Sequence, residues 1–229
     1  HPRRFQNRHK NWTAQKDRQR NSREQAGLCE IPRHKKVMTR IALYGGSFDP
    51  VHLGHLLVAQ AAHEELSLDK VIFVPAAQSP FKPDRQLSPG PMRVQMLRLA
   101  LAGRSFCEID CLELERGGVS YTIDTIRHYK SRFPDSEMFY LIGGDHTAQL
   151  PKWRDASELG SLVEFIVIPR PGQPEQPLPS GFRGRHLTGF PLGVSSSQIR
   201  QRVRNGQPVD LLAGRAVAEA IGYNHLYLS

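Results

Sequence analysis

Residues Arg40-Ile41-Ala42-Leu43-Tyr44-Gly45-Gly46-Ser47-Phe48-Asp49-Pro50-Val51-His52-Leu53-Gly54-His55 read as a strand that runs through a glycine turn into a helix. The strand is Arg40 to Tyr44, and apolar spacing predicts the helix from Leu53 to Leu66. Adjacent glycines after a first strand let the backbone turn tightly and approach a ligand. Backbone N–H groups in such a turn, backed by the N-terminus of the next helix, form an anion site. His52 and His55 stand three apart on one helix face, so donors from both rings converge on a phosphate. Gly54 between them removes a side chain that would block approach. Two histidines at this spacing also suit a helix cap beside a partly buried ring. A metal pair would need a third ligand that the sequence does not offer. The pattern is neither the dinucleotide fingerprint nor the phosphate-binding loop with its Lys-Ser/Thr.

Outward from this stretch, short apolar runs alternate with helical periodicity. Strands are expected at Lys70 to Val74, Phe106 to Leu114, Glu137 to Ile142 and Leu162 to Ile168. Helices are expected at Pro91 to Leu101, with Met92, Met96 and Leu99 at helix spacing, and at Tyr121 to Phe133, begun by Ser120. Pro75 to Gly90 and the Pro/Gly-dense Pro169 to Arg185 read as loops. Ser195 to Arg204 and Leu211 to Ile221 are the closing helices. This alternation predicts an α/β fold: a Rossmann-like, doubly wound parallel sheet with helices on both faces.

A second motif lies near the far end, in Val194-Ser195-Ser196-Ser197-Gln198-Ile199-Arg200. Ser195 with Gln198 fits a capping box, so a helix starts here whatever else it does. Ile199 and Val203, four apart, face the core and fix the helix. Free N–H groups, the hydroxyls of Ser196 and Ser197, and Arg200 then make a second polyphosphate site. An ordinary capped helix with a solvated arginine is the plain alternative for this segment alone.

The chain has 229 residues, 39% hydrophobic and 23% charged, and a net charge of +9. No stretch approaches the ~18 apolar residues of a membrane span. The charge is unevenly placed. Residues 1–37 hold 11 Lys and Arg against 3 acids, and the remainder is near neutral at +1. Basicity therefore says little about what the body binds, and nucleic-acid binding is expected only weakly, through the tail. The tail, residues 1–37, has few apolar residues and no periodicity, so it is expected to be disordered and outside the folded unit of residues 38–229. It lacks the apolar core of a secretory signal. The 3 cysteines cannot form a closed disulfide framework. Cys107 and Cys111 would share a strand face with Ile109, and a reducing, cytoplasmic compartment fits.

Together these residues resemble the nucleotidyltransferase superfamily marked by a His-x-Gly-His signature, and within it the bacterial nicotinate-nucleotide adenylyltransferases. The resemblance covers essentially Met38 to Ser229. Ser-Ser-Ser-Gln-Ile-Arg is similar to that family's closing Ser-Ser-Thr-x-Ile-Arg, with Ser197 in place of Thr. Val74-Pro75 through Pro80-Phe81-Lys82 resembles the loop after its second strand. Ser120-Tyr121-Thr122-Ile123-Asp124-Thr125 resembles its Ser-Tyr-Thr-x-Asp-Thr helix start. Gly143-Gly144-Asp145 and Leu150-Pro151-Lys152-Trp153 resemble its Gly-x-Asp and Leu-Pro-Lys-Trp. Gln149 departs from the pattern, where some members carry a tyrosine near the base pocket.

The resemblance implies transfer of AMP from ATP to nicotinate mononucleotide, with release of pyrophosphate, in NAD biosynthesis. By the same resemblance His52, His55 and Arg200 carry the chemistry. Gly45, Gly46, Ser47, Phe48, Gly143, Asp145, Ser196 and Ser197 bind ATP, and Lys82, Thr122 and Trp153 contact the acceptor nucleotide. Mg2+ is expected on the polyphosphate, held by water and phosphate rather than by a protein cage, so no protein metal ligand is named. The competing readings are a related adenylyltransferase acting on nicotinamide mononucleotide or phosphopantetheine, and a non-catalytic nucleotide- or nucleic-acid-binding protein.

Overall fold

A computed structural model of the chain describes residues 38–78, 86–172, 174–190 and 192–228. Six strands form one sheet, in the order β3-β2-β1-β4-β5-β6. They are β1 (Arg40–Gly46), β2 (Lys70–Pro75), β3 (Cys107–Ile109), β4 (Glu137–Gly143), β5 (Glu164–Ile168) and β6 (Gly184–His186). Every pairing is parallel, with Leu43 opposite Ile72 on one side and Tyr140 on the other.

Parallel strands covered on both faces need apolar side chains pointing both ways. In β1, Ile41 and Leu43 join a core with Ile123, Ile126 and Tyr129 of α4 (Thr122–Arg132) and Leu159 of α5 (Ala156–Leu162). Ala42 and Tyr44 face the other way. There they meet α1 (Leu53–Leu66), α2 (Gly90–Leu101), α6 (Ser196–Arg204), α7 (Asp210–Ala213) and α8 (Arg215–Tyr223). The doubly wound expectation holds.

The strand order reverses at β1, whose neighbours are β2 and β4. In open α/β sheets a crevice forms at the carboxyl ends of the strands at such a point. The glycine turn after β1 therefore emerges where a ligand is best received.

Several elements differ from the sequence reading. The run Phe106 to Leu114 is a strand only over β3, and then turns into α3 (Leu112–Arg116). Cys111 consequently caps α3 instead of sharing a strand face with Cys107. Leu211 to Ile221 is two helices, broken where Gly214 takes φ 88° between α7 and α8. In α2 the inward face is set by Arg93, Met96 and Leu97, leaving Leu99 39% exposed. The 3₁₀ segment Gly144–Lys152, α5 and the short β6 were not expected. Each is short, so none carries enough periodicity to be read locally. No described helix is long and apolar enough to cross a membrane.

Candidate active site

A cleft of about 1120 Å³ opens at the carboxyl ends of the strands. Its floor is Tyr44, Gly45 and Gly46 from β1, Ala76 after β2, Gly143 from β4 and Ile168 from β5. Gly45 and Gly46 do not turn. They stay extended in β1, paired with Val74 and Pro75. The left-handed residue is Phe48, at φ 47°, its ring buried in the core. Glycine is needed at Gly45 for clearance, since a Cβ there would lie 2.5 Å from the Tyr140 hydroxyl. Gly54 is tight but less constrained: a Cβ would sit 3.1 Å from both the His52 ring and Val194 Cγ1, and those side chains would have to give slightly.

His52 is the N-cap of α1 in extended conformation. Its backbone N–H donates to His55 Nδ1 at 3.2 Å. An acceptor at Nδ1 fixes the neutral tautomer, leaving the proton of His55 on Nε2 as a donor. The two rings lie 3.8 Å apart, centroid to centroid, tilted by 34°. Burial, and then the positive charge of Arg170, push the His52 imidazole down to about 4. Burial, His52 and Arg170 together hold His55 well below its ordinary value. Both rings are therefore neutral donors at pH 7. The cationic charge in the cleft comes from elsewhere.

Arg170, after β5, lines the cleft and supplies part of that charge. Its guanidinium lies 3.3 and 3.4 Å from Asp145 Oδ1, and its charge helps hold the Asp145 carboxyl low against burial, the largest opposing influence. Nothing in the local sequence marks Arg170. It follows a strand in a Pro/Gly-rich loop, where a solvated arginine is the ordinary expectation.

The capping box at α6 forms as the spacing predicts. Gln198 N–H donates to Ser195 Oγ at 3.2 Å, and Ser195 N–H to Gln198 Oε1 at 2.8 Å. Ile199 is fully buried, which locks the helix against the core. Ser196 donates to the Pro50 carbonyl at 2.9 Å, tying α6 to the loop after β1. Arg200 donates from Nη1 to the Asp49 carbonyl at 2.7 Å and from Nη2 to Ser197 Oγ at 3.0 Å. Two motifs some 140 residues apart in sequence thus share one cleft, with His52, His55, Ser196 and Ser197 on its walls.

Gly45, Gly46, Ser47, Phe48, Thr122, Gly143 and Trp153 line the same cleft. Thr122 Oγ1 lies 3.4 Å from the Tyr140 hydroxyl, and Trp153 meets the Tyr140 ring edge-on at 6.3 Å. Arg200 stands behind the lining, against Asp49. Asp145 lies beside Gly143, outside the lining, and Gln149 is exposed and likewise outside it. Lys82 and the basic tail lie outside the described residues. Ser120 does not cap α4, whose N-cap Tyr121 makes no side-chain cap. Its hydroxyl accepts instead from Ala77 N–H at 3.2 Å and bonds the buried Glu113.

Arg93 is another residue the sequence did not signal. It is 2% exposed. It donates to the carbonyls of Ser88 at 3.0 Å, Ser47 at 2.8 Å and Ala76 at 2.9 Å. One guanidinium thus ties the loop after β1 to both ends of the loop between β2 and α2. Among the described residues no group of three or more His, Cys, Asp or Glu is placed to hold a metal ion.

A Rossmann-like sheet with a paired-histidine helix start and a capped serine-arginine helix over one cleft defines a nucleotidyltransferase. Residues 43–202 match the family model described as cytidylyltransferase-like. A relative from Opitutus terrae, described as a probable nicotinate-nucleotide adenylyltransferase, is 44% identical over 191 residues, spanning 82% of this chain and 97% of its own. One from Shouchella clausii, described the same way, is 42% identical, spanning 83% and 97%. The structure of Plasmodium falciparum nicotinic acid mononucleotide adenylyltransferase complexed with NaAD superposes with TM-score 0.69 at 19% identity, over 82% of this chain and 97% of that one. That likeness establishes the fold. The chain belongs to the nicotinate-nucleotide adenylyltransferase family.

Proposed function

We propose that this protein transfers AMP from ATP to nicotinate mononucleotide, giving nicotinate adenine dinucleotide and pyrophosphate, a step of NAD biosynthesis. The observation that carries the reading is the meeting of the His52–His55 pair and the Ser196–Ser197 helix start in one cleft at the sheet's switch point. The 5′-phosphate oxygen of the acceptor attacks the α-phosphorus of ATP, and the bond to the bridging oxygen of pyrophosphate breaks. The attacking oxygen is already ionised at neutral pH, so no protein base is required. What remains is to hold two anions in line and stabilise charge as it builds.

The neutral imidazoles suit that task as N–H donors, His55 through Nε2. Ser197 and the N-terminus of α6 receive the leaving pyrophosphate, Arg200 adds positive charge from behind them, and Arg170 adds charge over the reacting phosphates. The backbone from Gly45 to Phe48 lies between the nucleotides. Gly143 and Asp145 contact ATP, and Thr122, Trp153 and Lys82 the acceptor. The hydroxyls of Ser196 and Ser197 and the guanidinium of Arg170 along the cleft suit a metal carried on the substrate's phosphates. Mg2+ bound to the triphosphate would supply charge neutralisation there. A cytoplasmic location accords with these substrates.

The test is pyrophosphate release from ATP and Mg2+ with nicotinate mononucleotide, nicotinamide mononucleotide and phosphopantetheine offered separately. A strong preference for the nicotinate compound is expected. Preference for another acceptor keeps the chemistry and moves the pocket assignment. No release from folded protein overturns the reading in favour of a binding module.

A further inference from the structure

One buried carboxylate outside the groups assigned to phosphate gathers three distant parts of the chain. Asp49 is 2% exposed. Its Oδ1 accepts from the Tyr227 hydroxyl at 2.6 Å, and its Oδ2 from Ser88 N–H at 3.3 Å. Its backbone carbonyl accepts from Arg200 at 2.7 Å. The Ser88 hydroxyl bonds the Tyr227 phenol as well. The loop after β1 is thereby joined to the segment after α8, to the loop before α2 and to α6.

Tyr227 lies 178 residues from Asp49 along the chain. Burial, and then the hydrogen bond to Asp49, keep its hydroxyl protonated far above neutral pH, so it is a donor under any working condition. Tyr227 and His225 both hold left-handed backbone, at φ 65° and 51°. Non-glycine residues rarely adopt that conformation, and they keep it where their surroundings over-determine it.

The position of Asp49 matters because of what hangs from it. Arg200 is aimed by two contacts, the Asp49 carbonyl and Ser197 Oγ. Three residues beyond Asp49, the backbone N–H of His52 orients His55. A shift of Asp49 therefore displaces Arg200 and both imidazoles together. We propose that Tyr227 is a positioning residue for the transfer: its hydroxyl clamps Asp49 and, through Asp49, sets Arg200 against His52 and His55. The inference rests on the adenylyl-transfer reading given under Proposed function.

The experiment is steady-state pyrophosphate release with ATP and nicotinate mononucleotide, on the full chain, for wild type, Tyr227→Phe, Asp49→Ala and the double variant, with melting temperatures alongside. Tyr227→Phe is expected to lower kcat about tenfold, the scale of one hydrogen bond to a charged group. KM for both nucleotides should change far less, and Tm should stay near wild type. The double variant should lose no more than Asp49→Ala alone, because both changes cut the same link. An unchanged kcat in Tyr227→Phe, losses that multiply in the double variant, or a loss that merely follows a collapse in Tm each overturn the clamp. Should Tyr227→Phe fail to fold, Asp49→Ala decides: lowered kcat with KM retained supports the proposal, and wild-type kcat overturns it. A wild type that releases no pyrophosphate overturns the functional reading instead.

Discussion

Both imidazoles at the head of α1 are neutral for the same first reason, burial, and the charge of Arg170 adds to it. His52 goes from an ordinary 6.5 to about 4. Between those values the unfolded chain binds a proton that the folded protein excludes. Stability therefore rises with pH across this window, is complete above about pH 6.5, and is lost on acidification toward pH 4. The His52 contribution is on the order of 3 kcal/mol, and His55 acts in the same direction. Thermal melts should show Tm falling from pH 7 to pH 5, and falling less in His52→Gln. An equal fall in that variant would place the acid sensitivity elsewhere. For turnover, His55→Ala should cost at least ~10²-fold, the scale of one preorganised donor at a charge-building centre. Near-wild-type turnover in the folded variant would remove His55 from the chemistry. The histidines were legible because their meaning is local: a cap, a spacing of three and a helix face. Arg170, Arg93 and Tyr227 were not, because each draws its role from contacts with residues far off in the chain.

At the scale of elements, loop geometry is held from beneath. Arg93 of α2 serves carbonyls in the loop after β1, after β2 and before α2. Arg93→Met would leave the partly buried Ser47, Ala76 and Ser88 carbonyls without that donor, at about 1 kcal/mol for each. A total near 3 kcal/mol lowers Tm by about 6–12 °C in a domain of this size. Arg93→Lys should recover only part of this, since an ammonium lacks the planar fork that spans three acceptors. Calorimetry on both variants checks the point, and a Tm within a degree of wild type for Arg93→Met would show the loops to be held otherwise. The sequence pattern at α2 gave its position well. It could not reveal that the inward face carries a charged residue, because apolar spacing selects Met and Leu and treats arginine as solvent-facing. In the same way Ser120 reads as a helix cap, while in three dimensions its hydroxyl is taken by Ala77 and Glu113.

Over the whole molecule the charge divides sharply, +8 on residues 1–37 against +1 on the rest. We propose that the basic tail takes no part in the transfer. Removing residues 1–37 should leave turnover and Tm unchanged while abolishing salt-sensitive retention on a polyanion such as heparin or RNA. A large loss of turnover would assign the tail to the machinery of the cleft. By itself the sequence determined the doubly wound class, the two helix starts at His52 and Ser195, and the family. Those follow from alternation, capping and short motifs, all written within a few turns of chain. Only the tertiary structure decided that the two motifs share one cleft, that Gly45 serves clearance instead of turning, and that Arg170 and Arg93 line that cleft while Tyr227 bonds Asp49. A strand order and a hydrogen bond across 178 residues are set by which surfaces pack together, and packing between distant segments leaves no periodic trace in the sequence of either one.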